Sequence, residues 1–549
     1  MKRQPDSALG RAVARLDVDS KATRWFGDDV LKLDAERLTI ASPRQGRLVL
    51  VTALTPTPAG EGKTTVAVGL VDALCRSGVR AIGALREPSM GPLFGRKGGA
   101  VGGGRARVIP SERINLHFTG DIHAISAAHN LLSAVIDNHV FAGNRLELDP
   151  ARISWPRTLD MNDRALRKIE VGLATRRGPQ RSERFVITAA SEVMAILCMA
   201  TDPGDAKRRL GRIIVGENIR GEPVFAEQLN VHGAMAAILL DALSPNLVTT
   251  VEGSPVMLHG GPFANIAQGT SSSIQTRLAL RLADVVVTEG GFAFDLGGFK
   301  FLDLVGRTQG FAPHVVVCVA TVRALRHHGG ADFQQGPDVS AVSSGMSNLE
   351  AHLSAIRELG FAQPIVAINR YPDDSPEELA TLRERLDALN VSSAETSVFS
   401  DGGAGGEELA RKVNERLEGP APAPRLVYEL GDPVEKKLER IATLVLGAAS
   451  VELSADARAD LARIQRWDLE RLPVCIAKTH LSISDDQALR GRPLGHTLHV
   501  TGLDVSNGAG FIVARCGPIL TMPGLPDRPA AEDVDIRLGD SGWEIVGLH

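Results

Sequence analysis

Short runs of Val, Ile and Leu recur along the chain between amphipathic stretches of helical length. "RLVLVTAL" precedes "TTVAVGLVDALCRSG"; "LADVVVTEGG" and "PHVVVCVATV" come later, followed by "SNLEAHLSAIRELG", "QPIVAINRY" and "SPEELATLRERLDAL". A strand that is apolar along its whole length has both faces buried, and a parallel sheet covered by helices on both sides offers that environment. The pattern predicts an α/β fold. Glycine-rich segments at 98–104, 290–298 and 402–406 interrupt it, and "GPAPAPR" at 419–425 reads as a linker or domain edge. Beyond the linker come a helical region over about 430–470 and a final section with strand and turn signals, "GAGFIVARCGPILTMPGLP".

The first apolar run, 47–54, leads into "TPTPAGEGKTT" at 55–65. A buried strand, a turn of small residues and a helix opening at Lys63 form the setting in which backbone N–H groups and a helix N-terminus cradle phosphate. Thr57, Pro58, Ala59, Gly60, Glu61, Gly62, Lys63, Thr64 and Thr65 are the expected ATP-binding residues. Lys63 neutralises the terminal phosphates, and Thr64 reaches Mg2+. The usual pattern has glycine where this chain has Thr57. That glycine permits a tight backbone path, which Gly60 and Gly62 can supply instead. On the motif alone, an ordinary strand–turn–helix crossover with an exposed lysine is the competing reading.

At 549 residues the chain predicts two to four domains. The expected division is a nucleotide-binding domain with the phosphate loop at 1–355 and two smaller α/β domains at 356–455 and 456–549. A formal net charge of -4 gives no electrostatic sign of nucleic acid. The five cysteines (Cys75, Cys198, Cys318, Cys475, Cys516) are far apart and form no CxxC, so neither disulfides nor zinc are expected. "MKRQPDSALGR" lacks an apolar signal core and no apolar run is long enough to span a bilayer, so a cytoplasmic enzyme of small-molecule substrates is expected. His117, His123, His129 and His139 do not share a helix face at ligand spacing over the helix expected at 122–138, so structural or substrate-lining roles are expected.

"REPSMGPLFGRKGGAVGGG" (86–104), "INLHFTGDIHAISAAHNLLSAVIDNH" (114–139), "HGGPFANIAQG" (259–269), "VATVRALRHHGG" (319–330), "VAINRY" (366–371), "AKTHLSISDD" (477–486) and "GAGFIVA…TMPGLP" (508–526) together resemble formate–tetrahydrofolate ligase, in order across nearly the whole chain. The family's phosphate loop also carries the Thr-Pro-x-Gly-Glu-Gly-Lys-Thr form. The resemblance implies ATP-driven joining of formate to N10 of tetrahydrofolate through formyl phosphate, with Mg2+, a monovalent cation and a homotetramer. It implies that Arg86 grips the acyl phosphate alongside Lys63. It also implies that Tyr371 and Phe399 clamp the pterin, on the second domain, with Phe292 near the acceptor. The clamp positions are usually Phe and Trp in the family; both remain aromatic here.

Other departures bear on the acceptor. Where the family prefers Gly-Ala-Asp-Leu-Gly-Ala-Glu-Lys, this chain has Phe294 and Phe299; after the triple glycine Arg105 and Arg107 replace a Tyr-Gln pattern, and Glu112-Arg113 replaces an acidic pair. Neutral drift and an altered pocket, for a folate of another oxidation state, a longer glutamate tail or another acyl donor, both stand as readings. A non-catalytic folate- or nucleotide-binding regulator is a third, against which the retention of Lys63, Thr64 and Arg86 speaks.

Overall fold

The computed structural model describes residues 7–41, 44–95, 101–173, 179–332, 336–539 and 542–548. Part of the 98–104 glycine segment therefore lies outside the described residues. Seven parallel strands form the centre: β1 (Arg47–Ala53), β2 (Ala81–Leu85), β3 (Pro255–Leu258), β4 (Val285–Glu289), β5 (Val315–Ala320), β6 (Ile365–Asn369) and β7 (Ser392–Thr396). Their spatial order is β3-β2-β4-β1-β5-β6-β7. The antiparallel strands Asn246–Thr250, Val30–Leu33 and Thr23–Phe26 extend the sheet beyond β3.

The continuous apolar runs have the burial expected of them. In β1, Leu48 and Leu50 belong to the core on one face of the sheet, whereas Val49 and Val51 belong to the core on the other. The period of two sends neighbours to opposite faces, and helices cover both. Helix α1 (Lys63–Arg76) packs Val66, Leu70 and Leu74 onto the second face. Helix α2 (Asp121–Phe141) is longer at both ends than the 122–138 expected from sequence.

A three-stranded sheet (Leu148–Ile153, Ile214–Asn218, Pro223–Phe225) lies in the middle of the chain. The C-terminal part forms a four-stranded sheet in the order Ser450–Leu453, Thr497–Ser506, Phe511–Cys516, Val474–Ala477. The strands on either side of residue 356, β5 and β6, pair directly in one sheet. The "GPAPAPR" segment packs against the helix Val339–Glu358, with Arg425 N donating to Leu359 O at 2.9 Å. All five cysteines are free, four of them buried. Among the described residues no helix is long and apolar enough to cross a membrane.

Candidate functional site

Every residue that sequence reasoning singled out for chemistry lies just past the carboxyl end of a parallel strand. Lys63 follows β1, Arg86 follows β2, Phe292 follows β4, Tyr371 follows β6 and Phe399 follows β7. Open parallel sheets bind ligands along this edge, where the strand-to-helix turns leave backbone and side chains free to face a common cleft.

The loop after β1 explains how Thr57 is accommodated. Gly60 and Gly62 adopt left-handed φ values of 78° and 67°, whereas Thr57 is not among the positive-φ residues. The turn closes through Gly60 N donating to Thr57 O at 3.0 Å. A side chain on Gly62 would meet Asn369 Nδ2 at 2.5 Å, so glycine is required there by space as well as by φ. Glu61 braces the loop from inside: its carboxylate accepts from Thr57 N at 2.7 Å and from the Thr321 hydroxyl. Burial pushes the Glu61 carboxyl up, opposed by Arg323 and these hydrogen bonds. Arg323 also donates to Gly60 O and to Tyr371 Oη, the latter at 3.1 Å, and lies 4.4 Å above the Tyr371 ring.

The cations converge on one acid that sequence reasoning missed. Lys63 Nζ lies 2.7 Å from Glu289 Oε2, Thr64 Oγ1 donates to the same oxygen at 2.8 Å, and Arg86 lies 3.2 Å from Oε1. Arg86 also donates to Pro262 O at 3.2 Å. Burial opposes ionisation of Glu289, but Lys63 and Arg86, with hydrogen bonds from Lys63 and Thr64, outweigh it and hold the carboxyl at about 2. Burial lowers the Lys63 pKa, with Glu289 opposing and Arg86 reinforcing. Lys63, Thr64 and Arg86 thus converge on one buried carboxylate. Glu289 is the last residue of β4, next to β1, where phosphate-loop proteins place the acid that shares magnesium with the loop hydroxyl. The only sequence signal was an acid ending the apolar run "VVVTEGG".

Tyr371 and Phe399 border the first turn of α1 from two sides. Tyr371 Oη lies 3.5 Å from where a Gly62 side chain would begin. Phe399 is exposed, and its ring lies 3.0 Å from the corresponding point on Gly103, with Thr65 Oγ1 3.7 Å from that point. Arg105, on the turn of the Gly102–Ile109 hairpin, donates its N–H to Phe399 O at 2.9 Å. Phe292 has a left-handed φ of 58° and stacks on His480 at 4.2 Å, a partner that sequence reasoning did not single out.

Four other candidates make packing or structural contacts. Phe294 and Phe299 are fully buried in the main core. Arg113 covers the Phe26 ring at 5.1 Å. His129 bonds Ser191 Oγ and Pro156 O at 2.8 Å each and stacks on Trp155, and burial drives its pKa down to about 4. A cavity of about 640 Å³, lined by Trp155, Glu217, Arg463 and Trp467 among others, opens between the middle and C-terminal sheets and includes none of the strand-edge residues.

A sequence profile described as formate–tetrahydrofolate ligase matches residues 2–549. The chain belongs to that family. Among relatives named formate–tetrahydrofolate ligase, the Thermus thermophilus protein is 51% identical over 529 residues, covering 96% of each chain. The Oenococcus oeni protein is 50% identical over 532 residues, 95% of this chain and 94% of its own. The Psychrobacter protein is 49% identical over 520 residues, 92% and 91% respectively. Family membership thus spans the phosphate loop, Arg86 and the aromatic positions in one continuous match.

Proposed function

We propose that this protein is an ATP-dependent ligase that joins formate to N10 of tetrahydrofolate. The observation that carries the reading is the convergence of Lys63, Thr64 and Arg86 on one buried anion, at the strand edge where phosphate binds. Formate is a poor acylating agent because its carboxylate oxygen is a poor leaving group. In the first step a formate oxygen attacks the γ-phosphorus, the bond to the bridging oxygen breaks, and ADP leaves. Lys63 stabilises the charge on the transferring phosphoryl, and Arg86 presents two donors to the resulting formyl phosphate. N10 then attacks the formyl carbon, phosphate departs, and the nitrogen gives up its proton.

Magnesium bound with ATP offsets phosphate charge, and the Thr64 hydroxyl and the Glu289 carboxylate, hard oxygen donors 2.8 Å apart, would hold it. The pterin lies between Tyr371 and Phe399, an aromatic clamp worth roughly 0.5–1.5 kcal/mol per ring pair beyond burial. The Phe292–His480 stack forms a further wall. A monovalent cation, a homotetramer and a cytoplasmic setting belong to the same proposal and rest on the family resemblance and the sequence.

A second reading keeps the acyl-phosphate chemistry but changes the acceptor, for example to dihydrofolate. Arg105, an exposed arginine at a departure from the family pattern whose backbone N–H donates to Phe399 O, is the observation that favours it. ADP release measured with formate and a panel of reduced and oxidised folates separates the two. In the same assay Lys63→Ala should abolish formate-dependent turnover, because one lost transition-state charge costs on the order of 3–4 kcal/mol, and it should melt below the wild type, because it removes a buried partner of the Glu289 carboxylate. Near-normal turnover in that variant would sink the assignment.

A further inference from the structure

Three loops meet behind the Phe292–His480 stack, and buried charges lash them together. Lys478 and Asp295 form an ion pair of 2.6 Å with both side chains essentially out of solvent. Lys478 Nζ also donates to Thr479 O and Ser482 O, fixing the loop that carries His480. Asp295 belongs to Phe294–Gly298, a π-helical turn that begins two residues after Phe292. Fully buried Lys300 donates to Ala264 O and to Ile476 O, tying the strand Val474–Ala477 to the loop whose Pro262 O accepts from Arg86.

A buried ion pair is a poor way to gain stability, because desolvation of two charges offsets most of their attraction and apolar replacements of equal volume are often as stable. π-Helical turns are rare and frequently lie at functional sites. Phe292 is held in a left-handed conformation, which a bulky residue adopts only when its surroundings impose it. The charge pair joins the turn beside that strained residue to the loop bearing its stacking partner.

We propose that Asp295 and Lys478 are positioning residues, aided by Lys300, that set the Phe292–His480 stack as a rigid wall for the folate acceptor. The inference rests on the proposed function, in which Phe292 contacts the acceptor. The pair touches no reacting atom; it acts by fixing the ring plane that the acceptor meets.

The test compares Lys478→Met with the double replacement Asp295→Leu, Lys478→Met in the full-length protein. The single variant strands a buried carboxylate and should melt well below the wild type. The double variant removes both charges and should regain most of that loss, yet raise the KM for tetrahydrofolate ~10-fold with the KM for ATP unchanged, since a small misplacement of a binding wall is felt by its own ligand alone. Should the double variant not fold, Asp295→Asn keeps the shape and one acceptor oxygen and must raise the folate KM selectively. A stable double variant with wild-type folate KM, or any of these variants in which ATP, formate and folate are weakened alike, overturns the positioning role. Wild-type protein that formylates no folate would instead refute the proposed function, so the two failures are distinguishable.

Discussion

Replacing Glu289 with glutamine removes one charge and almost no volume from the centre of the site. Glu289 is the counter-ion of both Lys63 and Arg86, and these partners hold its carboxyl at about 2 against a reference of 4.5. That difference corresponds to about 3 kcal/mol in favour of the ionised folded form. The folded value lies below the unfolded one, so the stabilisation is complete above pH 4.5 and is lost as pH falls through 2. Glu289→Gln should therefore lower stability to denaturant by up to about 3 kcal/mol at pH 7. The gap from wild type should narrow below pH 4.5, as the carboxyl of the unfolded wild-type chain takes up its proton while the folded one stays ionised down to about 2. On the proposed magnesium site, which the variant would leave with Thr64 alone from the protein, half-saturation of turnover should require ~10-fold more Mg2+ or worse. Denaturant midpoints across pH 2–7 and turnover against Mg2+ concentration measure the two effects separately. A variant as stable as the wild type at pH 7 would refute the electrostatic argument, and an unchanged Mg2+ dependence would remove Glu289 from the metal site.

Two further outcomes follow from the packing and contacts. Arg86→Lys should lower formate-dependent turnover by on the order of 10²-fold, because a point charge cannot reproduce a forked contact to an acyl phosphate; an unchanged rate and formate KM would make Arg86 structural. Phe294→Ala should destabilise by about 3–5 kcal/mol with every substrate affected alike, as expected of a fully buried core ring; a changed ranking among folates without stability loss would place Phe294 in the acceptor pocket.

The departures from the family read differently once packed. In sequence, Phe294, Phe299 and Arg113 are departures from the family pattern that read either as drift or as an altered acceptor pocket. In the structure the two phenylalanines fill the core and Arg113 covers Phe26, whereas Arg105 is exposed and its backbone N–H donates to Phe399 O. Proximity along the chain could not sort them, because a π-helical turn sends its side chains inward at positions that a loop would leave exposed.

What the sequence determined by itself was local. Strands β1, β4, β5 and β6 were legible because a strand buried on both faces must be apolar at every position, and that needs no knowledge of neighbours. The strand–turn–helix at 47–76 was legible because its signals sit in consecutive residues, and Gly60 and Gly62 supply the left-handed turns in the absence of a glycine at Thr57. The family was legible from its ordered motif blocks. Only the tertiary structure decided which strands are adjacent, and with that which side chains meet. Glu289 reaches Lys63 across 226 residues because β4 lies next to β1, and Arg323 and Asn369 reach the loop from the ends of β5 and β6. A residue's own apolar pattern says that its strand is buried, but the strand beside it is chosen by the packing of the whole sheet.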